Sequence, residues 1–388
     1  MTKMLSITDP VTPVSWVDYI NPTPAPDTWH FVILSDVHLG HKRIHCRKMI
    51  EDLEFFLPPE RLAAIDFIII TGDLFDQRLP HDSDDAFLIS RWMERLLKLC
   101  VTHNVKIRIL EGTPSHDQRQ SRWMVTYNEI MQLGADVNYY DDVTIDELFP
   151  GGPSVLYIPD EINHDANKTW VEVSELMRDR AMETVNFIFS HGFYSFQTPA
   201  SVISSHNEER YESICTDLIV NGHDHTHKVK GKIRVPGSPD RHMMGQEEDK
   251  GFLQFSYSKE KGVFDEIFLI NHRAVIFTTL DVVGKTQVEV EKILADLEDK
   301  PDGSNFRLVL SRADESYANF ARLKARFPHF KLSNTTTESK KTIEVFERKI
   351  DRSTITAIRP DTLAGLALPK LTHLSPAALK LAEAELNS

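Results

Sequence analysis

Three imidazoles fall within seven residues of this chain, His223, His225 and His227 in the stretch NGHDHTH, directly behind the apolar run Leu218-Ile219-Val220. Histidines delivered by a strand to its carboxyl end suit a metal ion or a phosphate. Alone, the stretch reads equally well as a solvated turn, because a short motif takes its meaning from context. Four earlier blocks supply that context. FVILSDVHLG ends in Asp36 and His38, FIIITGDLFD in Asp73 and Asp76, IRILEGTPSHD in His116 and Asp117, and NFIFSHG in His191. Asp36 and His38 are one residue apart, as are His223 and His225, so in extended chain each pair points to one side. Asp73 follows the most apolar run in the chain, where an unpaired carboxylate is costly to bury and a dication relieves the cost. Nitrogen and oxygen ligands without thiolate suit manganese, iron or zinc. A shared carboxylate can hold two ions about 3.5–4 Å apart, an arrangement that serves phosphoester hydrolysis.

Such residues need strands to carry them, and the apolar pattern provides strands. Phe31 to Leu34, Ile65 to Ile70 and Val105 to Leu110 read as buried β runs, separated by helical faces at Met49, Leu53, Phe56 and at Phe87, Leu88, Trp92, Met93, Leu96, Leu97, Cys100. Further runs are Ser154 to Ile158, Val185 to Phe189, Leu218 to Val220 and Ile233 to Val235. An antiparallel-looking pair follows, Gly251 to Ser256 and Phe264 to Asn271. The class predicted is α/β, a mixed sheet arrangement with helices on its faces. After Asp281 a compact helix–strand–helix–strand pattern runs to about residue 350, with Arg322, Lys324, Arg326 and Lys331 close together. That cluster is as compatible with a solvated helix face as with a phosphate-contacting surface. Residues 1–28 are proline-rich and irregular, and 351–388 hold two short helix candidates with Leu374, Leu379, Leu381 and Leu386.

Composition narrows the class. With 388 residues, 41% of them apolar, the chain can bury a large core and a smaller second one. No apolar run approaches the roughly 20 residues that cross a bilayer, and Cys46, Cys100 and Cys215 are widely spaced, which predicts a cytoplasmic protein with reduced thiols. A net charge of -14 argues against indiscriminate nucleic-acid binding through a basic surface, but not against a nuclease whose metals supply local positive charge.

The blocks, in this order, resemble the calcineurin-like metallophosphoesterases: DxH at Asp36-Val37-His38, GDxxD at Gly72 to Asp76, GNHD at Gly112 through Ser115-His116-Asp117, a single His191, and GHxH at Gly222 to His225. The segment VPGSPDRHMMGQEEDKGF, Val235 to Phe252, is similar to one in the SbcD-type DNA double-strand-break repair nucleases. The resemblance implies a metallophosphoesterase-type mixed β-sandwich over 29–280, a small α+β capping domain over 285–350, and a helical partner-binding tail over 351–388. It implies a first metal held by Asp36, His38, Asp73 and His225, and a second held by Asp73, Ser115, His191 and His223. His116, oriented by Asp117, would assist the departing oxygen. It further implies two divalent ions, usually manganese, DNA as substrate, a homodimer, and an SbcC-type coiled-coil ATPase as partner.

In the implied set Ser115 stands where the family has asparagine, a shorter and weaker ligand. Asn163-His164-Asp165 spells the missing motif but sits in a polar loop without a preceding glycine, so a surface loop is the better reading. His41, His45, His81, His206, His227 and His242 are expected at the surface or behind the ligands. Two other readings share these residues: a phosphoesterase for small molecules or proteins, which needs neither the PGSP segment nor a capping domain, and a metal-poor scaffolding subunit.

Overall fold

A computed structural model of the protein describes residues 27–160, 165–198 and 204–337. Nearly all of the N-terminal extension, Asn163 and His164, residues 338–350 and the tail 351–388 lie outside the described residues. Strands β1 (Thr28–Leu34), β2 (Phe67–Thr71), β3 (Lys106–Leu110) and β4 (Val137–Tyr140) lie side by side and parallel. Six strands then build a second sheet: β5 (Thr144–Glu147), β6 (Ser154–Ile158), β7 (Val185–His191), β8 (Cys215–Gly222), β9 (Lys228–Lys230) and β10 (Ile233–Val235). Its order is β5-β6-β7-β8-β10-β9, with β6, β7, β8 and β10 parallel. The chain returns to the first sheet as the antiparallel pair β11 (Gly251–Ser258) and β12 (Gly262–Ile270), giving β12-β11-β1-β2-β3-β4.

The two sheets pack face to face because alternate residues of their strands are apolar on the facing sides. Phe31 and Ile33 of β1, Phe67 and Ile69 of β2, and Phe187 and Phe189 of β7 share one buried cluster. Phe31 stacks between Phe67 at 4.9 Å and Phe255 at 4.7 Å. A side chain so enclosed contributes about 1.5–3 kcal/mol relative to exposure. The intervening residues, Val32, Leu34, Ile68 and Ile70, face the other way onto helices, which is why β2 is apolar at both parities. The fold is thus a mixed α/β sandwich, two sheets flanked by helices.

The long helix Asp84–His103 shows how sequence sets one outer layer. Ser83 caps it by accepting from Ala86 N, and Asn104, in the left-handed region, ends it. Trp92, Met93, Leu96, Leu97 and Cys100 are buried as the spacing predicts and Ile89 joins them, but Leu88 is only half-buried and Phe87 is 62% exposed. It follows Ala86, which occupies the core stripe, and so is turned about 100° away from it. All three cysteines are buried and free. Beyond the sandwich, β13 (Phe277–Asp281), β14 (Asn305–Leu310) and β15 (Lys331–Thr336) form a separate parallel sheet. Helices Gln287–Ala295 and Phe320–Arg326 add Val290, Leu294 and Leu323 to its core. No helix among the described residues is long and apolar enough to cross a membrane.

Candidate metal centre

The parallel strands of both sheets point their carboxyl ends to one edge, where each hands over to a loop bearing the chemistry-competent residues. β1 leads to Asp36 and His38, β2 to Asp73 and Asp76, β3 to the loop from Glu111 to Asp117, β6 to Asp160, β7 ends in His191, and β8 leads to His223 and His225. Asp36, His38, Asp73 and His223 all have positive φ, at 51°, 55°, 49° and 90°. That conformation is costly for residues with a Cβ, and its recurrence at four of these positions marks a functional edge. The strand ends also meet too closely for side chains at two points, one within the first sheet and one between the two sheets. A Cβ on Gly112 would stand 2.0 Å from Asp73 N, and one on Gly222 would stand 2.2 Å from the Thr71 carbonyl. Only glycine fits there.

Asp73 joins two sets of side chains. Its Oδ2 lies 3.8 Å from His38 Nε2, and its Oδ1 lies 3.4 Å from His191 Nε2. On the first side, His38 Nε2 faces His225 Nε2 at 3.1 Å, and Asp36 Oδ1 lies 3.9 Å from His225 Nε2. On the second side, His223 Nδ1 faces His191 Nε2 at 3.2 Å. Asp36 is further fixed by the Ser35 hydroxyl at 2.5 Å and by His223 N–H at 3.0 Å.

Ser115 is not part of this arrangement. It is exposed, and its carbonyl accepts from Gln118 Nε2. The hydroxyl at the second set belongs to Thr113, whose Oγ1 lies 3.2 Å from Asp73 Oδ2, 3.3 Å from His191 Nε2 and 3.1 Å from His223 Nδ1. Counting back from His116 points to Ser115, whereas the chain reaches the centre immediately after Gly112, and Ser115 is exposed. The neutral hydroxyl that stands at the second set is therefore that of Thr113 and not that of Ser115. Replacing Thr113 with asparagine, whose carbonyl is a stronger metal ligand, is expected to tighten the weaker ion by about 10- to 100-fold, while Ser115→Asn leaves it unchanged. Manganese titration of the two variants distinguishes these positions, and a response only at Ser115 would reverse the assignment.

The role expected of Asp117 also changes. Its carboxylate accepts from Phe75 N and Gly112 N, both at 2.8 Å, so it ties the loop after β2 to the loop after β3. His116 is oriented instead by the Asp76 carbonyl, 2.8 Å from its Nδ1. Of the other histidines, His45 and His81 are exposed, and His227 pairs with the Val235 carbonyl. His206 is buried with Nε2 against the His191 carbonyl at 2.9 Å. Two further residues approach the centre, Asp160, which was not singled out from the sequence, and His242, which was expected at the surface or behind the ligands. Asp160 Oδ2 lies 3.9 Å from His223 Nδ1, and His242, 3% exposed, has its Nδ1 3.3 Å from His225 Nδ1. Asp160 follows a proline at a strand end in the same row as His191, the one signal that pointed to it.

Electrostatics show that a dication fits. Asp36, Asp73, Asp117, Asp160 and Glu111 are all buried at one edge, an excess of carboxylate with histidine as its main counterweight. Burial, then neighbouring Asp73 and Glu111, push the Asp117 carboxyl up to about 8, and Asp36 is raised mainly by burial. Burial would raise Asp73 too, but the His191 imidazolium beside it holds it below the ordinary carboxylate range. For His191, burial pulls downward, yet Asp73, then Asp36 and Asp160, raise it to about 10. The metal-free protein therefore carries a proton on His191 at neutral pH, and a ligand nitrogen must lose it. Binding of the second ion is expected to release protons at pH 7 and to strengthen as pH rises toward 10. Calorimetric titration in buffers of different ionisation enthalpy measures this; heats independent of buffer would show that His191 is already neutral.

A two-sheet sandwich with histidines and aspartates converging at its carboxyl edge, and one carboxylate shared between two sets, is the build of a metal-dependent hydrolase. A family model for calcineurin-like phosphoesterases matches residues 30–227, and the chain belongs to that family. It is accordingly a divalent-metal-dependent hydrolase of phosphoesters. No curated protein sequence matches the chain. One solved crystal structure is similar over 62% of this chain and the whole of its own, at 9% identity and a TM-score of 0.39, a likeness too loose to bear on function.

Proposed function

We propose that the chain is the DNA exo- and endonuclease subunit of a recombination-repair complex of the SbcCD kind, using two manganese ions. In this reading Asp36, His38, Asp73 and His225 hold the first ion, and Asp73, Thr113, His191 and His223 hold the second. The observation that carries it is the shared Asp73, whose carboxylate stands 3.8 Å from His38 on one side and 3.4 Å from His191 on the other. Bound there, two divalent ions supply positive charge at the phosphate oxygens and make water acidic enough to act as a nucleophile at neutral pH. The protein's own part is to hold that geometry and to manage a proton. His116 donates its Nδ1–H to the Asp76 carbonyl, which leaves Nε2 to carry the proton taken up by the departing oxygen.

Two features favour DNA over a small phosphoester. The segment Val235 to Phe252 supports the ligand set directly: Ser238 N and Lys250 Nζ both donate to the His225 carbonyl, at 3.1 and 2.7 Å. The C-terminal sheet also touches the loop that follows β1, since Lys331 Nζ reaches the Arg43 carbonyl at 2.9 Å. That contact places Lys331 next to exposed Lys42 and Arg43, on the loop that carries His38 and His41. Such a basic rim can receive a phosphate backbone that a small substrate would not need. The reading includes residues 285–350 as a capping domain, an SbcC-type ATPase as partner of residues 351–388, and a homodimer. Incubation of linear duplex DNA with manganese, beside a generic phosphodiester, tests it. Degradation of the DNA is the expected result, and hydrolysis of the small substrate alone would assign a small-molecule phosphoesterase instead.

A further inference from the structure

The far nitrogen of a metal-binding histidine decides which way its lone pair faces, and at this edge those partners are specific. His191 turns Nδ1 to the Thr71 carbonyl at 2.8 Å, while His38 Nδ1 stands 3.4 Å from Asp76 Oδ1, an ion-pair contact outside hydrogen-bond geometry. An acceptor such as the Thr71 carbonyl fixes the N–H behind and the lone pair in front. For His225 the far nitrogen is Nδ1, and it has two side-chain neighbours: Gln246 Nε2 at 3.1 Å and His242 Nδ1 at 3.3 Å. The Gln246 amide cannot serve as the acceptor. Its Oε1 already receives His242 N–H at 2.7 Å, so the nitrogen turned to His225 can only donate. If that bond decided the tautomer, His225 would place its N–H at Nε2, facing His38 and repelling a cation.

We infer that His242 is the acceptor that sets the tautomer of His225, a positioning residue for the first ion that none of the family motifs contains. The inference rests on the reading of His225 Nε2 as a ligand. A neutral imidazole has one lone pair and one N–H. With its lone pair at Nδ1, His242 accepts from His225 Nδ1–H and carries its own hydrogen on Nε2; in that state the Gln246 amide, a donor 3.1 Å away, makes no hydrogen bond to His225 Nδ1. That Nε2 is buried and has no hydrogen-bond partner among the described residues. Leaving a polar group unpaired costs stability, a cost that an apolar side chain of similar shape would avoid. The ring is also locked in place, edge-on to His38 at 4.7 Å and to His225 at 4.8 Å. The loop beneath it is held by Asp240, which accepts from Arg241 N at 2.8 Å and Val275 N at 2.7 Å.

Three substitutions separate this role from its alternatives. Asparagine puts an acceptor oxygen where His242 has Nδ1, glutamine reaches instead to the Nε2 position, and phenylalanine keeps the shape without either. Manganese binding to the full chain is read by calorimetry for the wild type, His242→Asn, His242→Gln and His242→Phe. The expected result is first-ion affinity within a few-fold of wild type for His242→Asn, and about 10- to 100-fold weaker for the other two, with the second ion unchanged. Retention by His242→Gln with loss by His242→Asn would make Nε2 a direct ligand and overturn the inference. Unchanged binding in all three, or equal loss of both ions in all three, would overturn it in favour of packing. A wild-type chain that bound no ion would sink the metal-centre reading itself, and this inference with it.

Discussion

His116→Ala is expected to lower phosphodiester cleavage by about 10²- to 10⁴-fold while both ions and DNA binding are retained. The side chain is half-buried beside the first set, its ring 5.0 Å from that of His38, and its Nδ1 is committed to the Asp76 carbonyl. It thus presents a single nitrogen, Nε2, for proton exchange. Help of that kind appears only as the leaving oxygen gathers charge, so the loss falls on kcat more than on KM. A ligand would behave otherwise, and His116 is close enough to His38 and Asp76 for that to be a real alternative. Metal content measured beside kcat decides between them: loss of an ion along with activity would make His116 a ligand and not a proton carrier.

The residues at strand ends were legible because burial leaves a plain trace. A run such as Phe67–Thr71, covered on both faces, is apolar at every position, and what stands behind it must be at the sheet edge. Edge strands leave less trace. β4, β5 and β9 are short and half exposed, and none was expected. Thr113 was missed because motif spacing was counted from His116, whereas the close approach of Gly112 to Asp73 is what brings the next residue to the centre. His242 lay deeper still. It sits in a polar loop with no periodic neighbours, and only the fold of Ser238 and Lys250 back onto the His225 carbonyl carries it inward. Long-range contacts of this kind have no local sequence signature.

Asp73→Asn is expected to remove both ions and reduce hydrolysis to the background of the metal-free protein, the largest single-residue effect at this edge. The amide can still accept the Thr113 N–H that Asp73 Oδ1 receives at 2.5 Å, so the loop geometry survives. What disappears is the charge, and with it the shared ligand of both sets. In the metal-free protein the same change relieves crowding, because Asp73 is among the charges that raise Asp36 and Asp117. Its loss also removes the main charge that keeps a proton on buried His191, which can then become neutral. Without metal the variant should therefore melt no lower than the wild type by more than a few degrees. Manganese then separates the two proteins. An ion at 100 times its Kd adds about 2.7 kcal/mol to the wild type, and should add nothing to the variant. Thermal melts with and without manganese read this directly. A variant that still gained stability from the ion would show that each set can bind without the shared carboxylate, and the bridging role of Asp73 would have to be given up.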